Sequence, residues 1–206
     1  MIKQIRQRLT HFQPRLLQAR RPQAAVLVAI TNEPDPKVVL TQRAAKLSSH
    51  SGEVAFAGGK QDATDPDLRF TALREAHEEI GLEPSEVEIL GQMGQVMSKH
   101  QLVVTPFVGL IDPDAPLTPN PGELDAVFKV PLKFFLTDHR HHTDEIVFKG
   151  KSRYVPAYQY DGYLIWGLTA YVLVELLNEC LDANIPMKPR PETDVIRHKV
   201  SSPSVR

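Results

Sequence analysis

Arg74-Glu75-Ala76-His77-Glu78-Glu79-Ile80-Gly81-Leu82 is the stretch on which the reading turns. A helix advances about 100° per residue, so positions three and four apart share a face. Glu75, Glu78 and Glu79 therefore lie together, while Ala72, Leu73, Ala76 and Ile80 form another face suited to packing on a sheet. Three carboxylates within one turn repel each other unless a cation sits among them. They are hard oxygen donors of the kind Mg²⁺ and Mn²⁺ prefer. Arg74, four residues before Glu78, is placed to neutralise and orient it. Gly81 suits the left-handed cap that ends a helix. Upstream, Asp65-Pro66 reads as the helix start, with aspartate capping and proline at the first helical position. Before that, Gly58-Gly59 permits the close backbone approach that a phosphate requires. Taken alone, the glutamates fit a solvated helix face. A glycine loop, helix start, carboxylate cluster and glycine stop in that order point instead to metal-assisted phosphate chemistry.

Outward from this core, Ala24–Ile30 reads as a buried strand and Lys37–Gln42 as its hairpin partner across Asn32-Glu33-Pro34-Asp35-Pro36. Further strands are predicted at Val87–Gln95, Leu102–Ile111 and Ala126–Pro131, with a hairpin of Glu145–Lys149 and Tyr154–Tyr158. Trp166–Asn184 reads as a helix. Asp112–Gly122 holds prolines at 113, 116, 119 and 121 and must be a loop. Strands and helices mix without regular β-α-β alternation, which predicts an α+β fold of layered, sandwich type. From Pro186 onward, prolines and charge predict an extended or disordered tail.

A chain of 206 residues favours one domain with extensions over two full domains. Its formal net charge of −1 gives no footprint for nucleic acid or membrane surfaces. An acidic substrate must then be held by local groups or by metal. Cys180 is the only cysteine and lies in an apolar run, which excludes an internal disulfide and reads as a core residue. A cytoplasmic location is expected, and no run approaches the roughly 18 apolar residues of a membrane span. Ile2, Ile5, Leu9, Phe12 and Leu16 recur at helical spacing among Lys3, Arg6, Arg8, Arg15, Arg20 and Arg21. This basic stretch superficially looks like a transit peptide, but serine is absent from it and a strand follows almost at once. A docked or dimer-forming helix is expected instead, with a homodimer contact covering its apolar face. His139, His141 and His142, irregularly spaced beside Asp138 and Arg140, read as a solvated loop rather than a zinc site.

Gly59–Leu82 resembles the Nudix box, a glycine-rich loop followed by a helix carrying Arg-Glu-x-x-Glu-Glu-x-Gly; Arg74, Glu75, Glu78, Glu79 and Gly81 match position for position. One extra residue separates Gly59 from the arginine, and Asp65 stands where the family has its first glutamate. Such a departure is similar to that of the coenzyme A pyrophosphatase subgroup. Leu40-Thr41-Gln42-Arg43-Ala44, Leu47, His50, Gly52-Glu53 and Phe56-Ala57-Gly58-Gly59 resemble that subgroup's second signature. Two positions depart from it: Ser48 replaces an arginine and Ala57 a proline. Fainter landmarks follow at Val104-Thr105-Pro106, Asn120-Pro121-x-Glu123 and Ile165-Trp166-Gly167.

The resemblance implies a Nudix-type α/β/α sandwich with a mixed central sheet. It covers roughly residues 24–181, so the chain is read as an N-terminal helical extension over 1–22, a hydrolase domain over 23–185 and a tail over 186–206. Glu75 and Glu79 would be the principal Mg²⁺ or Mn²⁺ ligands, Glu78 a further ligand or orienting partner, and the Gly59 carbonyl a completing donor. Arg74 would position the glutamates, and the general base would be Glu78 or Glu123. Arg43, Lys46, His50, Gly58 and Lys60 are candidate contacts to substrate phosphate. The implied reaction is hydrolysis of the pyrophosphate bond of coenzyme A, a small nucleotide substrate, to 3',5'-ADP and 4'-phosphopantetheine. Two alternatives stay open: a pyrophosphatase for ADP-ribose or another nucleoside diphosphate derivative, and a Nudix module that senses a nucleotide without turnover.

Overall fold

Alternation along the first strand decides how the layers stack. In the computed structural model, which describes residues 1–46, 52–148 and 151–199, β1 (Gln23–Thr31) buries Ala25, Leu27 and Ala29 in one core and Ala24, Val28 and Ile30 in another. Successive strand side chains point to opposite faces, so a strand feeding two cores must be apolar throughout. That is what the run Ala24–Ile30 encodes.

Before β1 comes α1 (Ile2–His11), and after it β2 (Lys37–Arg43), β3 (Val54–Ala55) and β4 (Ala57–Lys60). Then follow α2 (Leu68–Ile80), a 3₁₀ turn over Pro84–Glu86, β5 (Glu88–Gln92), β6 (Val96–Met97) and β7 (Val103–Ile111). β8 (Leu124–Pro131), α3 (Leu132–Leu136), β9 (His142–Phe148), β10 (Lys151–Tyr160), β11 (Tyr163–Ile165), α4 (Gly167–Leu181) and β12 (Val195–Lys199) complete the order. The central sheet runs β3-β2-β1-β7-β5, with β4 on β1, β6 on β7 and β8 on β2. It is mixed: β1 and β7 are parallel from Gln23↔Val103 to Thr31↔Ile111, and the other pairs are antiparallel. A second sheet, β11-β10-β9-β12, stands apart.

The two cores give the layers. Ala72, Ala76 and Ile80 of α2 share one with Ala25, Leu27 and Ala29. Leu173, Leu176, Leu177 and Cys180 of α4 share the other with Val28 and Ile30. Burial pushes the Cys180 thiol up to about 12, so it is a core group and not a nucleophile. This is the α+β sandwich with a mixed sheet that the sequence implied.

Several details refine or differ from expectation. The α2 helix starts later: Asp67, not Asp65, is its cap, accepting from the Phe70 amide at 2.7 Å. The apolar stripe of α1 is already covered within the chain, where Ile5 and Leu9 are buried in the core that holds α4. Arg6 pairs with Glu88, and Arg8 pairs with Asp182 at 2.7 Å, along its flank. A dimer is therefore not needed to cover that stripe. The segment after Pro186 includes a strand, since β12 adds to β9 in parallel register. Finally, the histidine-rich loop is only half solvated. Arg140 and His142 are buried, and Asp138 binds Arg140 at 2.5 Å and the Tyr158 hydroxyl at 3.0 Å. Its charges pair with residues further along the chain, which spacing alone does not show. Among the described residues no helix is long and apolar enough to cross a membrane.

Candidate active site

The helix α2 presents its carboxylates because its ends and its buried face are fixed. Ala72, Ala76 and Ile80 hold it on the sheet, and Gly81, at φ 69°, closes it with a bond from its amide to the His77 carbonyl. Two further carbonyls at the same end are taken by the proline-rich loop: Thr118 donates to Ile80 and Asn120 to Glu79, each at 2.8 Å. Helix carbonyls that lack intrahelical partners are thus satisfied, and the loop is fastened beside the carboxylates.

Both glycines of the loop lie in close contact with their neighbours. A methyl group on Gly58 would stand 2.4 Å from the Ala25 carbonyl oxygen, and one on Gly59 would stand 2.5 Å from the Glu75 carboxylate. The Gly58 amide donates to Glu79 Oε2 at 3.0 Å. Glu79 is almost wholly buried, and burial raises its pKa to about 7, against the Gly58 bond and with help from Glu75 and Glu123. Burial also raises Glu75, opposed by Arg74 and reinforced by Glu78 and Glu123.

Arg74 is the organising cation. Its Nη1 reaches Glu78 at 2.9 Å, and its Nη2 reaches Glu75 and the Lys60 carbonyl at 3.0 and 3.1 Å. Its Nε and Nη2 clasp Asp65, both at 3.0 Å. Asp65 also accepts from Thr71 Oγ1 at 2.9 Å and the Asp62 amide at 3.0 Å. The guanidinium is the main reason that the Asp65 carboxyl is held down to about 2. Sequence reading took Asp65 for a helix cap and missed this clasp. Its signal was there: an acid at the position of the family's first glutamate, nine residues before an arginine.

Of the other expected contacts, Arg43 places Nη1 3.8 Å from Glu79 Oε1, and its Nε is buried with no hydrogen-bond partner among the described residues. Lys60 is exposed at the end of β4. Lys46 donates from Nζ to the Pro121 carbonyl at 2.8 Å. Glu123 is exposed in the loop, yet its charge acts on both Glu75 and Glu79. Lys99, which sequence reading did not select, pairs with Glu53 at 2.7 Å. His50 and Ser48 lie outside the described residues.

The donor set fits a hard divalent cation. Glu75 and Glu79 sit partly or wholly out of water with too little positive charge around them, which is the condition that a cation relieves. Among the described residues no three acidic, histidine or cysteine side chains already converge as a ligand shell. Glu75 and Glu78 are turned onto Arg74 instead, so binding a cation means exchanging those contacts for it.

The NUDIX domain profile matches residues 21–149. Nudix hydrolases named NudL, from Salmonella paratyphi B and Salmonella newport, are 43% identical over 154 residues, covering 75% of this chain and 80% of theirs. Among solved structures, the Nudix hydrolase RenU from M. smegmatis superposes with a TM-score of 0.54 at 19% identity, covering 82% of this chain and 91% of that one. A MutT/nudix family protein from Enterococcus faecalis gives a TM-score of 0.51 at 14% identity, covering 84% and 66%. At such identities the structural likeness speaks for the fold.

Proposed function

The chain belongs to the Nudix family, and from that premise we propose that it hydrolyses the pyrophosphate bond of coenzyme A or its derivatives, giving 3',5'-ADP and 4'-phosphopantetheine. The observation that carries the hydrolytic reading is the carboxylate set Glu75, Glu78 and Glu79 beside Gly58-Gly59, in which half-buried Glu75 and buried Glu79 have too little positive charge around them. Binding without turnover needs no such cluster. The coenzyme A assignment rests on the run from Leu40 to Gly59 that resembles the subgroup.

Glu75 and Glu79 would hold Mg²⁺ or Mn²⁺, with Glu78 and the Gly59 carbonyl as further donors. The ions would neutralise phosphate oxygens and lower the pKa of a water. Arg74 keeps the glutamates apart and aligned through its bonds to Asp65, Glu75 and Glu78. Gly58 and Gly59 let the backbone approach the phosphates, and Arg43 and Lys60 are the cations offered to them. Arg43 suits this role because its Nη1 lies 3.8 Å from Glu79 and its Nε is without a hydrogen-bond partner among the described residues. A carboxylate then accepts the proton of the attacking water. Glu78 is engaged by Arg74, whereas Glu123 is in a loop tied to the end of α2, which favours Glu123.

The test is product identification from coenzyme A with Mg²⁺ or Mn²⁺, beside ADP-ribose at equal concentration. Formation of 4'-phosphopantetheine at the higher rate is expected. Coenzyme A cleaved no faster than ADP-ribose sinks the coenzyme A reading and leaves a pyrophosphatase of other preference. No cleavage of any nucleoside diphosphate derivative sinks the hydrolytic reading as well.

A further inference from the structure

The turn that carries Glu123 is held by more bonds than its exposure requires. Asn120 donates its amide to the Glu79 carbonyl at 2.8 Å, and its own carbonyl accepts from the Glu123 and Leu124 amides at 3.0 and 2.9 Å. Its side-chain Oδ1 accepts from the Gly122 amide at 3.0 Å. On the other side, the Ala44 amide donates to the Glu123 carbonyl at 2.8 Å, and Lys46 Nζ to the Pro121 carbonyl at 2.8 Å. The Ala45 amide donates to Asp125 Oδ2 at 2.9 Å. An exposed loop glutamate would ordinarily sample many positions, and fixing it costs backbone entropy. Here the turn is bonded both to the end of the helix that bears Glu79 and to the end of the strand that bears Arg43.

We infer that Asn120 and Lys46 are positioning residues that set Glu123 against the carboxylate cluster. Lys46 acts on the loop and not on substrate phosphate. The inference rests on the hydrolytic reading above, with Glu123 as the proton acceptor. Asn120 acts through its side-chain oxygen, which closes the turn two residues before the glutamate by the local side-chain to backbone bond that asparagine makes well. Lys46 acts through the Pro121 carbonyl, two residues before the glutamate, which accepts from its Nζ at 2.8 Å. Reacting groups misplaced by about 1 Å can cost on the order of 100-fold in rate. Loosening such a turn therefore lowers turnover and leaves substrate affinity almost untouched.

The test compares Asn120→Ala, Asn120→Ser and Lys46→Ala with the parent chain by steady-state kinetics and by amide hydrogen exchange over residues 120–124. Expected are faster exchange at Gly122 and Glu123, a fall of about tenfold in kcat and a KM within about twofold for Asn120→Ala. Serine keeps an oxygen that can close the turn more weakly, so Asn120→Ser recovers part of the loss. Lys46→Ala gives a smaller fall of the same kind. A raised KM with unchanged kcat in Lys46→Ala makes that lysine a phosphate contact and overturns its part. Unchanged exchange in both alanine variants overturns the inference whatever the activity. Faster exchange with unchanged kcat reduces the turn to scaffolding and overturns it too. If the parent chain hydrolyses nothing, the hydrolytic reading fails, and with it the catalytic sense of the turn, while exchange still measures what holds it.

Discussion

Asp65 clasps Arg74 through both of its oxygens, 3.0 Å to Nε and 3.0 Å to Nη2, and this fixes the guanidinium that Glu75 and Glu78 share. A bidentate fork of this kind sets orientation as well as charge. Replacing Asp65 by Ala leaves Arg74 without its bidentate anchor and Thr71 Oγ1 without its acceptor at 2.9 Å. The expected outcome is a fall in kcat of about 10- to 100-fold with a lowered melting temperature. Asp65→Asn keeps the shape and one acceptor and should lose less. A kcat within twofold of the parent in Asp65→Ala would show that Arg74 is held without the clasp.

Glu79 combines the least exposed carboxylate of the cluster with the largest upward displacement there. In metal-free protein at pH 8 its buried charge works against folding. Glu79→Gln keeps an acceptor for the Gly58 amide and removes the charge. It should abolish hydrolysis while raising the stability of the metal-free protein by about 1 kcal/mol, or about 2–4 °C in Tm. Calorimetry in chelator and an activity assay read the two effects separately. Retained activity would refute the role of Glu79 as a metal ligand.

Gly58 and Gly59 look alike in sequence but meet different neighbours. A Cβ on Gly58 strikes the backbone of Ala25 and Val26, which cannot give way without distorting the pairing of β1 with β4. A Cβ on Gly59 meets the end of the Glu75 side chain, which can swing aside. Gly58→Ala should therefore destabilise the fold by about 1–3 kcal/mol. Gly59→Ala should leave Tm nearly unchanged, yet weaken Mg²⁺ binding and activity by at least about tenfold. Thermal melts and a metal titration distinguish these, and equal losses of Tm in both variants would contradict the argument.

The carboxylate face, the glycine stop and the apolar strands were legible because each depends on residues close in sequence. Periodicity placed Ala72, Ala76 and Ile80 on the packed face, and burial agrees. What sequence did not show depends on partners far along the chain. Asp65 and Asp67 are both good caps, and only the fold reveals that Arg74 claims the first. Lys46 lies 75 residues from the carbonyl it binds, and nothing local distinguishes that from a phosphate contact. The strand after Pro186 was hidden for the same reason. It is charged and short, and it is defined by its pairing with β9. Arg190, reaching Asp138, and Arg197, reaching Glu145, become anchors only once the two segments meet.

That pairing carries a pH dependence. Arg197 binds Glu145 through Nε at 2.8 Å and Nη2 at 3.2 Å, and Ser152 and Tyr154 donate to the same carboxylate. Arg197 first and Ser152 next hold the Glu145 pKa down to about 2 from 4.5. A carboxylate depressed in the folded state contributes stability that is complete above its unfolded value and is lost as pH falls through the folded one. The attachment of β12 should therefore be constant above about pH 4.5 and weaken between there and about pH 2. Trp166, the only tryptophan, lies with its ring 5.3 Å from that of His198 on β12, so its fluorescence reports the strand locally. Acid titration should change that signal before or with the loss of global structure. Arg197→Ala should move the change to higher pH, toward the ordinary carboxylate range. A signal that keeps the same acid midpoint in Arg197→Ala would show that Glu145 does not hold the strand.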